Sequence, residues 1–234
     1  MRPCNAVGMN LSQKDRLWLG AVVAIAILLS WLLRTEAPLG DDVSGNALAL
    51  AVRNDHSSPA EGGPAADLTL ILFSDYRCPA CRPAHSAMKR AVAGDGKVRI
   101  VYKDWPIFGP ASERAAQVAI ASDFQNIYPL VHDRLMTGRV DGDDALKAAV
   151  EGSGGDWGQL RRDLATRKIE IATQLGNNRM QAVQLGLGGT PGYLIGPILV
   201  RGALSESEFT RVFKQARKRA TERAASKTAE RRGT

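Results

Sequence analysis

Two cysteines separated by two residues are the clearest candidates for chemistry in this chain. Cys78-Pro79-Ala80-Cys81 follows the apolar run 68–73 and opens a stretch of helical composition. Two thiols three positions apart at the start of a helix can form and break a disulfide, and the helix N-terminus favours the thiolate that attacks. A CxxC pair alone also suits zinc, so other features must decide between redox and metal chemistry.

The segments on either side of the cysteines predict a β-α-β unit. Residues 68–74 and 97–102 predict strands, and the apolar composition of the first is typical of a strand buried on both faces. Residues 79–93 predict the helix between them. Pro79 is tolerated in a first helical turn, whereas Pro83 should bend the helix or delay its regular part.

A helical block and a hairpin complete the pattern. No convincing strand interrupts residues 104–188, and Ser112 is the expected N-cap of their first helix. Two short strands at 192–195 and 198–201 then predict a tight hairpin, and a last amphipathic helix follows. The order β-α-β, helices, β-β-α predicts a thioredoxin-like α/β fold with a helical insertion at about 112–186.

A long apolar run near the N-terminus predicts a membrane anchor. Residues 17–33 form a 17-residue run between Arg16 and Arg34. As a helix it spans about 25 Å, just enough to cross a bilayer. Basic residues precede the run and acidic residues follow it, which places 1–16 in the cytoplasm and the chain beyond residue 34 outside. We expect an uncleaved transmembrane signal anchor; a cleaved signal peptide and a buried helix are the alternatives.

Composition sets the limits of the folded domain. Residues 34–66 are rich in Ala, Gly, Pro, Ser and Asp and predict a tether, which leaves 67–220 for the domain.

Cys4 would lie on the cytoplasmic side of the anchor and could not pair with the CxxC cysteines. Those two would face an oxidising compartment, where a dithiol serves disulfide chemistry.

The net charge of +7 is concentrated at the C-terminal end. Residues 211–234 hold nine Lys/Arg and two Asp/Glu, so the rest of the chain is neutral, with 22 of each. A neutral body gives no general argument for nucleic-acid binding. We expect 221–234 to be a solvated basic tail, with attraction to anionic lipid headgroups or to an acidic partner as the alternative.

Three segments carry a resemblance to a known family. They are 73–81 (FSDYRCPAC), 101–106 (VYKDWP) and 189–191 (GTP). In this order and at this spacing they resemble the DsbA-like thiol:disulfide oxidoreductases of the thioredoxin-like superfamily. The resemblance covers roughly residues 46–220.

The resemblance implies a role for each residue of the site. Cys78 matches the exposed nucleophile that forms the mixed disulfide, and Cys81 matches the resolving thiol. Pro191 matches a cis-proline in a loop against the cysteines, and the backbone of Thr190 is expected to pair with a bound peptide. Some members carry a His between the cysteines. With Pro79-Ala80 there instead, we expect a weaker oxidant than those members.

Resolution by Cys81 also needs a proton acceptor. Asp75 and the neighbouring Lys103 and Asp104 are the candidates for accepting the proton or tuning the pKa of the thiols. Each also fits a structural role, as a carboxylate before a turn and as a charge pair at the end of a strand.

A metal site is the weaker interpretation of the cysteines. His85 follows Cys81 by four residues, so the two could share a helix face. With Cys78 this makes three soft ligands, one fewer than a closed structural zinc site needs. We therefore predict no metal and no cofactor, and expect His85 to lie on the helix surface.

Taken together, these features predict a periplasmic thiol:disulfide oxidoreductase anchored by one span in a bacterial inner membrane. It would exchange a Cys78–Cys81 disulfide with unfolded or thiol-containing envelope proteins, and a membrane redox partner would reset it. No nucleic-acid partner is expected. A reductase or isomerase kept reduced by a membrane partner is the alternative within this class, but the short tether lacks the dimerisation domain usual in isomerases. A copper- or zinc-handling module and a non-catalytic peptide-binding domain are alternatives from other classes.

Overall fold

The computed structural model describes residues 12–36, 38–55 and 57–232, and the chain divides after Pro38 into two units. The first unit contains helix α1, and the second contains all the other elements. In chain order the elements are α1 (Gln13–Glu36), β1 (Asp41–Asp42), α2 (Ala47–Arg53), β2 (Ala60–Glu61), β3 (Leu68–Ser74), α3 (Cys81–Asp95), β4 (Val98–Asp104), α4 (Pro110–Asp123), α5 (Tyr128–Thr137), α6 (Asp143–Glu151), α7 (Trp157–Thr166), α8 (Lys168–Gln184), β5 (Gly192–Ile195), β6 (Ile198–Arg201) and α9 (Glu206–Arg232).

Helix α1 begins with a reciprocal cap. The amide of Asp15 donates to Ser12 Oγ over 3.3 Å, and the amide of Ser12 donates to Asp15 Oδ2 over 3.1 Å, which satisfies N–H groups that a helix start leaves open. The helix includes the whole of the predicted anchor, 17–33. Of the helices in the described ranges, none is both long and apolar enough to cross a membrane. Cys4 lies outside the described residues.

Within the described residues six strands form one sheet in the order β1-β6-β5-β3-β4-β2. β3 and β4 are parallel, with Leu68 opposite Val98 and Ser74 opposite Asp104, and the other neighbouring pairs are antiparallel. A parallel pair needs a crossover, which α3 supplies. The hairpin of β5 and β6 has the predicted bounds. This topology confirms the thioredoxin-like α/β fold.

Both faces of the sheet are covered, which explains the apolar run in β3. Leu70 and Leu72 belong to the core shared with α3, α9 and helices of the insertion. Ile71 and Phe73 belong to a second core on the other face, shared with α2 and α8. Each such side chain stabilises the fold by about 1.5–3 kcal/mol when it is buried.

The stretch predicted as a tether, 34–66, contains three short elements of the larger unit. β1 pairs with β6 and β2 pairs with β4, so both edges of the sheet come from this stretch. Between them Asn46 caps α2, where its Oδ1 accepts a hydrogen bond from Leu48 N over 2.9 Å. Ala49 and Val52 then fix α2 to the second core.

The helix that carries the cysteines starts two residues later than predicted, at Cys81. Pro83 therefore lies in its first turn, where the missing N–H has no intrahelical partner to lose. Because the helix starts at Cys81, Pro83 does not bend it, as it would bend a helix that began at residue 79. It also places Cys78 just before the helix and Cys81 at its first position.

The last helix is longer than the sequence predicts. Ser205 N donates to Glu208 Oε2 over 2.8 Å and Glu208 N to Ser205 Oγ over 3.3 Å, a capping box that starts α9. Phe209 and Phe213 pack into the core, and the helix continues to Arg232, through most of the predicted basic tail 221–234.

Candidate active site

The cysteines lie where β3 ends and α3 begins. Residues 75–80, called the redox loop below, join the two elements. Cys78 N donates to Asp75 O and Cys81 N donates to Cys78 O, both over 3.2 Å. Cys81 N also donates to Cys78 Sγ over 3.2 Å. The first amide of α3 thus points at the sulfur of Cys78, where it can stabilise negative charge that develops on that sulfur during exchange.

The two thiols are free and buried, in unequal surroundings. Cys78 is 1% exposed and Cys81 is 2% exposed, which differs from the exposed nucleophile that the resemblance implies. Only the tip of the redox loop is open, at Arg77 and at Pro79-Ala80. Burial raises the pKa of the Cys81 thiol, and its hydrogen bond with Cys78 raises the pKa further. Cys81 therefore favours the protonated state.

The loop before β5 forms the facing wall of the site. The Thr190–Pro191 peptide bond is cis, the form that the resemblance implies. The thiol of Cys78 donates to Thr190 O over 3.3 Å. The register of β5, with Gly192 opposite Phe73, carries this loop to the end of β3. The structure thus brings together Cys78, Cys81 and the Thr190–Pro191 pair.

Asp75 holds the redox loop to its surroundings. Its carboxylate accepts hydrogen bonds from Arg77 N over 2.7 Å, from Ile107 N over 2.6 Å and from Phe108 N over 3.1 Å. Ser112 is not the N-cap that the sequence predicts, because α4 already begins at Pro110; its Oγ, in the first turn of α4, donates to Asp75 as well. Among the described residues no thiol is a hydrogen-bond partner of this carboxylate, so its contacts are those of a structural anchor.

Lys103 lies on the opposite face of the sheet from the cysteines. It is 1% exposed and forms an ion pair with Asp55, next to α2. Burial lowers the pKa of Lys103, while Asp55 acts against that change. Burial would raise the pKa of Asp55, but hydrogen bonds from Lys103, Ser57 and Gln181 outweigh it and lower that pKa. The structure therefore does not bring Lys103 to the thiols.

Asp104 lies beneath the redox loop, because its register partner Ser74 is the last residue before that loop. Strand residues alternate in direction, so Asp104 faces away from Lys103. Its Oδ2 accepts a hydrogen bond from Tyr128 OH over 2.9 Å, and its Oδ1 has no hydrogen-bond partner among the described residues. Burial raises the pKa of Asp104 to about 7, although the hydroxyls of Tyr76 and Tyr128 oppose the change. Such a group can exchange a proton near neutral pH.

Three rings connect Asp104 to the redox loop. Tyr76 belongs to the loop, and its hydroxyl lies 2.9 Å from His132 Nδ1 and 3.3 Å from Tyr128 OH. All three rings are buried. Burial raises the pKa of both tyrosines and lowers the pKa of His132. We call Asp104, Tyr128, Tyr76 and His132 the buried polar cluster.

Sequence reasoning missed two members of this cluster. Tyr128 and His132 are four residues apart, so they share one face of α5. That spacing is the only signal in the sequence, and it does not say that this face turns toward β4 and the redox loop.

His85 is buried, not on the helix surface as predicted. Its Nε2 lies 3.1 Å from Asp133 Oδ1, and its ring centroid lies 5.2 Å from that of His132. The packing of α3 against α5 accounts for the difference, because it covers the face of α3 that carries His85. In the part of the chain that the structure describes, no group of three or more His, Cys, Asp or Glu side chains is placed to hold a metal ion.

Comparison with known proteins identifies the family. The sequence model of the thioredoxin family matches residues 54–215. The chain belongs to the thioredoxin family. A thioredoxin-like oxidoreductase from Silicibacter pomeroyi DSS-3 is 33% identical, with a TM-score of 0.67 over 74% of this chain and 98% of that chain. A periplasmic thioredoxin-like protein from Salmonella enterica serovar Typhimurium is 29% identical, with a TM-score of 0.64 over 73% and 96% of the two chains.

Two further proteins are similar to this thioredoxin-family chain, one in fold and one in sequence. The thiol-disulfide exchange protein alpha-DsbA2 from Wolbachia pipientis, 24% identical, shares the fold with a TM-score of 0.66 over 75% of this chain and 98% of its own. The Na(+)/H(+) antiporter NhaA 1 from Salinispora arenicola (strain CNS-205) is 27% identical over 201 residues, which are 77% of this chain and 30% of that protein. The chain thus spans less than a third of this curated relative. The predicted membership of the thioredoxin-like superfamily is confirmed, and the similarity to a thioredoxin-like oxidoreductase agrees with the predicted enzyme class, thiol:disulfide oxidoreductase.

Proposed function

We propose that this thioredoxin-family protein is an oxidase of the bacterial cell envelope that passes a Cys78–Cys81 disulfide to substrate thiols. The observation that carries the proposal is the unequal environment of the two sulfurs. Cys78 Sγ accepts a hydrogen bond from the backbone N–H of Cys81 over 3.2 Å, whereas burial raises the pKa of the Cys81 thiol. A sulfur that can leave as a thiolate is thus paired with one that holds its proton.

The proposed reaction consists of two thiol–disulfide exchanges. A substrate thiolate attacks Cys78 Sγ, the bond to Cys81 breaks, and Cys81 takes up a proton. A second substrate thiolate then attacks the substrate sulfur of the mixed disulfide, and Cys78 leaves as a thiolate beside the amide of Cys81. Two electrons pass from the substrate dithiol to the cysteine pair, and the substrate gains a disulfide.

Unfolded envelope proteins are the proposed substrates. Ile107 and Phe108 are 43% and 47% exposed, and their amides are held by Asp75 of the redox loop. Exposed large apolar side chains beside a reactive site suit an unfolded chain better than a folded surface. The backbone of Thr190, in contact with Cys78, is the proposed pairing site for an extended peptide.

Anchoring in the inner membrane is part of the proposal. The support is the apolar run 17–33 and its charged flanks, which favour an outside location for the catalytic domain. The Salmonella neighbour is periplasmic by name, in line with that side of the membrane. A membrane protein that reoxidises the cysteines is the proposed partner.

Alkaline extraction of cell membranes tests the anchor. The full chain should stay with the membrane pellet, and a Val23→Arg/Ile27→Arg variant should appear in the supernatant, because charges at the centre of a span are costly. A wild-type chain released by carbonate would contradict anchoring.

Oxidation of a reduced two-cysteine peptide tests the oxidase assignment. The purified full chain, oxidised beforehand, should convert the peptide to its disulfide with one equivalent per cysteine pair. Cys4→Ser is the matched control and should keep the full rate, whereas Cys78→Ser should abolish the reaction. Peptide oxidation that persists in Cys78→Ser, or that the wild type lacks, would contradict the proposal.

A further inference from the structure

Helix α9 changes character after its last buried residue. Its apolar side packs into the core as far as Ala216, and beyond that residue none of the described side chains of α9 is buried. This later part, 217–232, holds seven Lys or Arg against two Glu. Arg223 lies seven residues after Ala216, about two helical turns further along the same side. The side of α9 that is apolar within the core is therefore basic beyond it.

A cleft of about 730 Å³ lies beside this basic part of α9. Its other walls are the end of α2, the start of β3 and the turn between β5 and β6. Among the described residues that line it, Asp67 is the one acid. Four arginines line the cleft, which is called the cationic cleft below: Arg53 of α2 and Arg217, Arg219 and Arg223 of α9.

Two of these four arginines already bind carboxylates. Arg217 and Arg219 each pair with two carboxylates, between 2.7 and 3.7 Å away. Arg53 and Arg223 form no salt bridge with any side chain that the structure describes, and Asp42 lies near Arg223 without pairing with it. The cationic cleft thus presents two guanidinium groups to an anionic ligand. Their N–H donors match the oxygens of a phosphate group in pairs.

The chain that leaves the predicted anchor is tied to α9 just before its basic part. Leu39 N donates to Gln215 Oε1 over 3.0 Å, and Gln215 Nε2 donates to Leu39 O over 3.2 Å. Residues 34–38 join the apolar run to Leu39, and a chain of that length reaches no more than about 20 Å. An anchor in the bilayer therefore keeps Gln215, and the basic part that follows it, within that reach of the lipid.

We propose that the cationic cleft and the basic part of α9 bind the headgroups of anionic phospholipids at the surface of the membrane that holds the anchor. The inference rests on the anchor of the proposed function and is independent of the oxidase assignment. A basic side chain close to an anionic bilayer favours binding by a factor of about five. The short connection through 34–38 adds to this, because it keeps the cleft at a high effective concentration beside the headgroups.

Binding on this side turns the cysteines away from the membrane. Arg217 pairs with Asp67, which directly precedes β3, whereas the redox loop follows Ser74 at the other end of the same strand. A strand of this length spans about 20 Å. Cys78 then faces the soluble envelope proteins. A membrane redox partner reaches it only when the cleft releases the lipid, so the contact has to be reversible.

Cosedimentation with lipid vesicles tests the inference. The probe is the full chain with Val23→Asp/Ile27→Asp, because acidic residues at the centre of the apolar run remove the anchor without adding positive charge. We expect this chain to bind vesicles of equal amounts of phosphatidylcholine and phosphatidylglycerol, and not vesicles of phosphatidylcholine alone. Raising the salt concentration from about 0.1 M to 1 M shortens the Debye length from about 10 Å to 3 Å and should release the protein.

Two pairs of substitutions in this background locate the contact. Arg53→Gln/Arg223→Gln removes the two guanidinium groups without salt bridges and should weaken binding about 25-fold, which is about fivefold for each charge. Lys214→Gln/Lys218→Gln is the matched control, because it removes two charges from α9 at exposed positions that do not line the cleft. This control should keep most of the affinity. None of the four side chains belongs to the core, so both variants should fold.

The possible results separate the inference from the rest of the account. Equal losses for the two pairs, or binding that does not depend on phosphatidylglycerol or on salt, would overturn it. Binding to polyglutamate without binding to anionic vesicles would also overturn it, in favour of an acidic protein partner. A wild type that resists carbonate extraction, with no vesicle binding here, would reject the lipid contact and leave the anchor. Vesicle binding together with a wild type that carbonate releases would reject only the anchor.

Discussion

Replacing Asp104 by Asn should make the stability of the domain far less dependent on pH. Burial raises the pKa of Asp104 from 3.8 to about 7, so the folded protein holds this proton more tightly than the unfolded chain. The stabilisation from this proton is complete below pH 4 and is lost as the pH rises through 7. At about 1.36 kcal/mol per pKa unit, the loss reaches about 4 kcal/mol by pH 8.

The Asn side chain cannot ionise, so the variant avoids that loss. Its amide does bring N–H donors into a buried site, at a cost of about 1–3 kcal/mol that is independent of pH. We therefore expect the variant to be less stable than the wild type at pH 4 and more stable at pH 8. The difference between the two proteins should change by up to about 4 kcal/mol over that range.

Urea unfolding of both full chains at a series of pH values, under reducing conditions, measures this difference. The decisive quantity is the difference in unfolding free energy between wild type and variant, plotted against pH. A sigmoidal change centred between pH 4 and 7 supports the account. A flat line would show that Asp104 does not titrate in the folded protein as the structure requires.

Three further predictions concern stability, substrate binding and oxidising power. Asp55→Asn should lower the free energy of unfolding by about 3–5 kcal/mol, because it leaves Lys103 buried without its anion; Lys103→Met should cost clearly less in the same urea titration. Phe108→Ser should raise the KM for an unfolded apolar substrate several-fold at constant kcat. Leu130→Ser changes an apolar side chain of α5 that is more exposed than Phe108 and should leave KM alone; equal effects of the two changes would argue against a binding role. Redox titration of the wild type should give a potential below the ~−120 mV of the strongest periplasmic oxidant, and Ala80→His should raise it; a wild-type value at ~−120 mV would contradict the assignment.

The central elements of the fold could be predicted because independent signals agree on them. The apolar run of β3, the tight hairpin of β5 and β6 and the amphipathic pattern of α9 each follow from local chemistry. The short strands β1 and β2 could not be predicted in this way. Each has two residues, and each becomes a strand only because a neighbouring strand offers hydrogen-bond partners.

The reactive part of the site was equally accessible from the sequence. Cys78 and Cys81 are adjacent by spacing alone, and Thr190 and Pro191 were assigned through the resemblance. The roles of the charged candidates were not accessible. Which of them lies under the redox loop depends on strand direction and on long-range packing, and Lys103 belongs to the face opposite the thiols.

The buried polar cluster shows most clearly where sequence reasoning stops. Asp104 was one of three candidate proton acceptors, and only the register of β4 against β3 places it below the loop. Its partners Tyr128 and His132 lie on α5, which begins 24 residues after Asp104 in the sequence. No local pattern specifies that α5 packs its ring-bearing face there.

The redox state of the Cys78–Cys81 pair in living cells tests the central claim most directly. Rapid acid quenching followed by alkylation with a mass-shifting reagent separates oxidised from reduced protein, and Cys4→Ser removes the only other thiol. An oxidase reset by a membrane partner should be found mostly oxidised. A pair that is mostly reduced at steady state would contradict the oxidase assignment and would favour a reductase or isomerase.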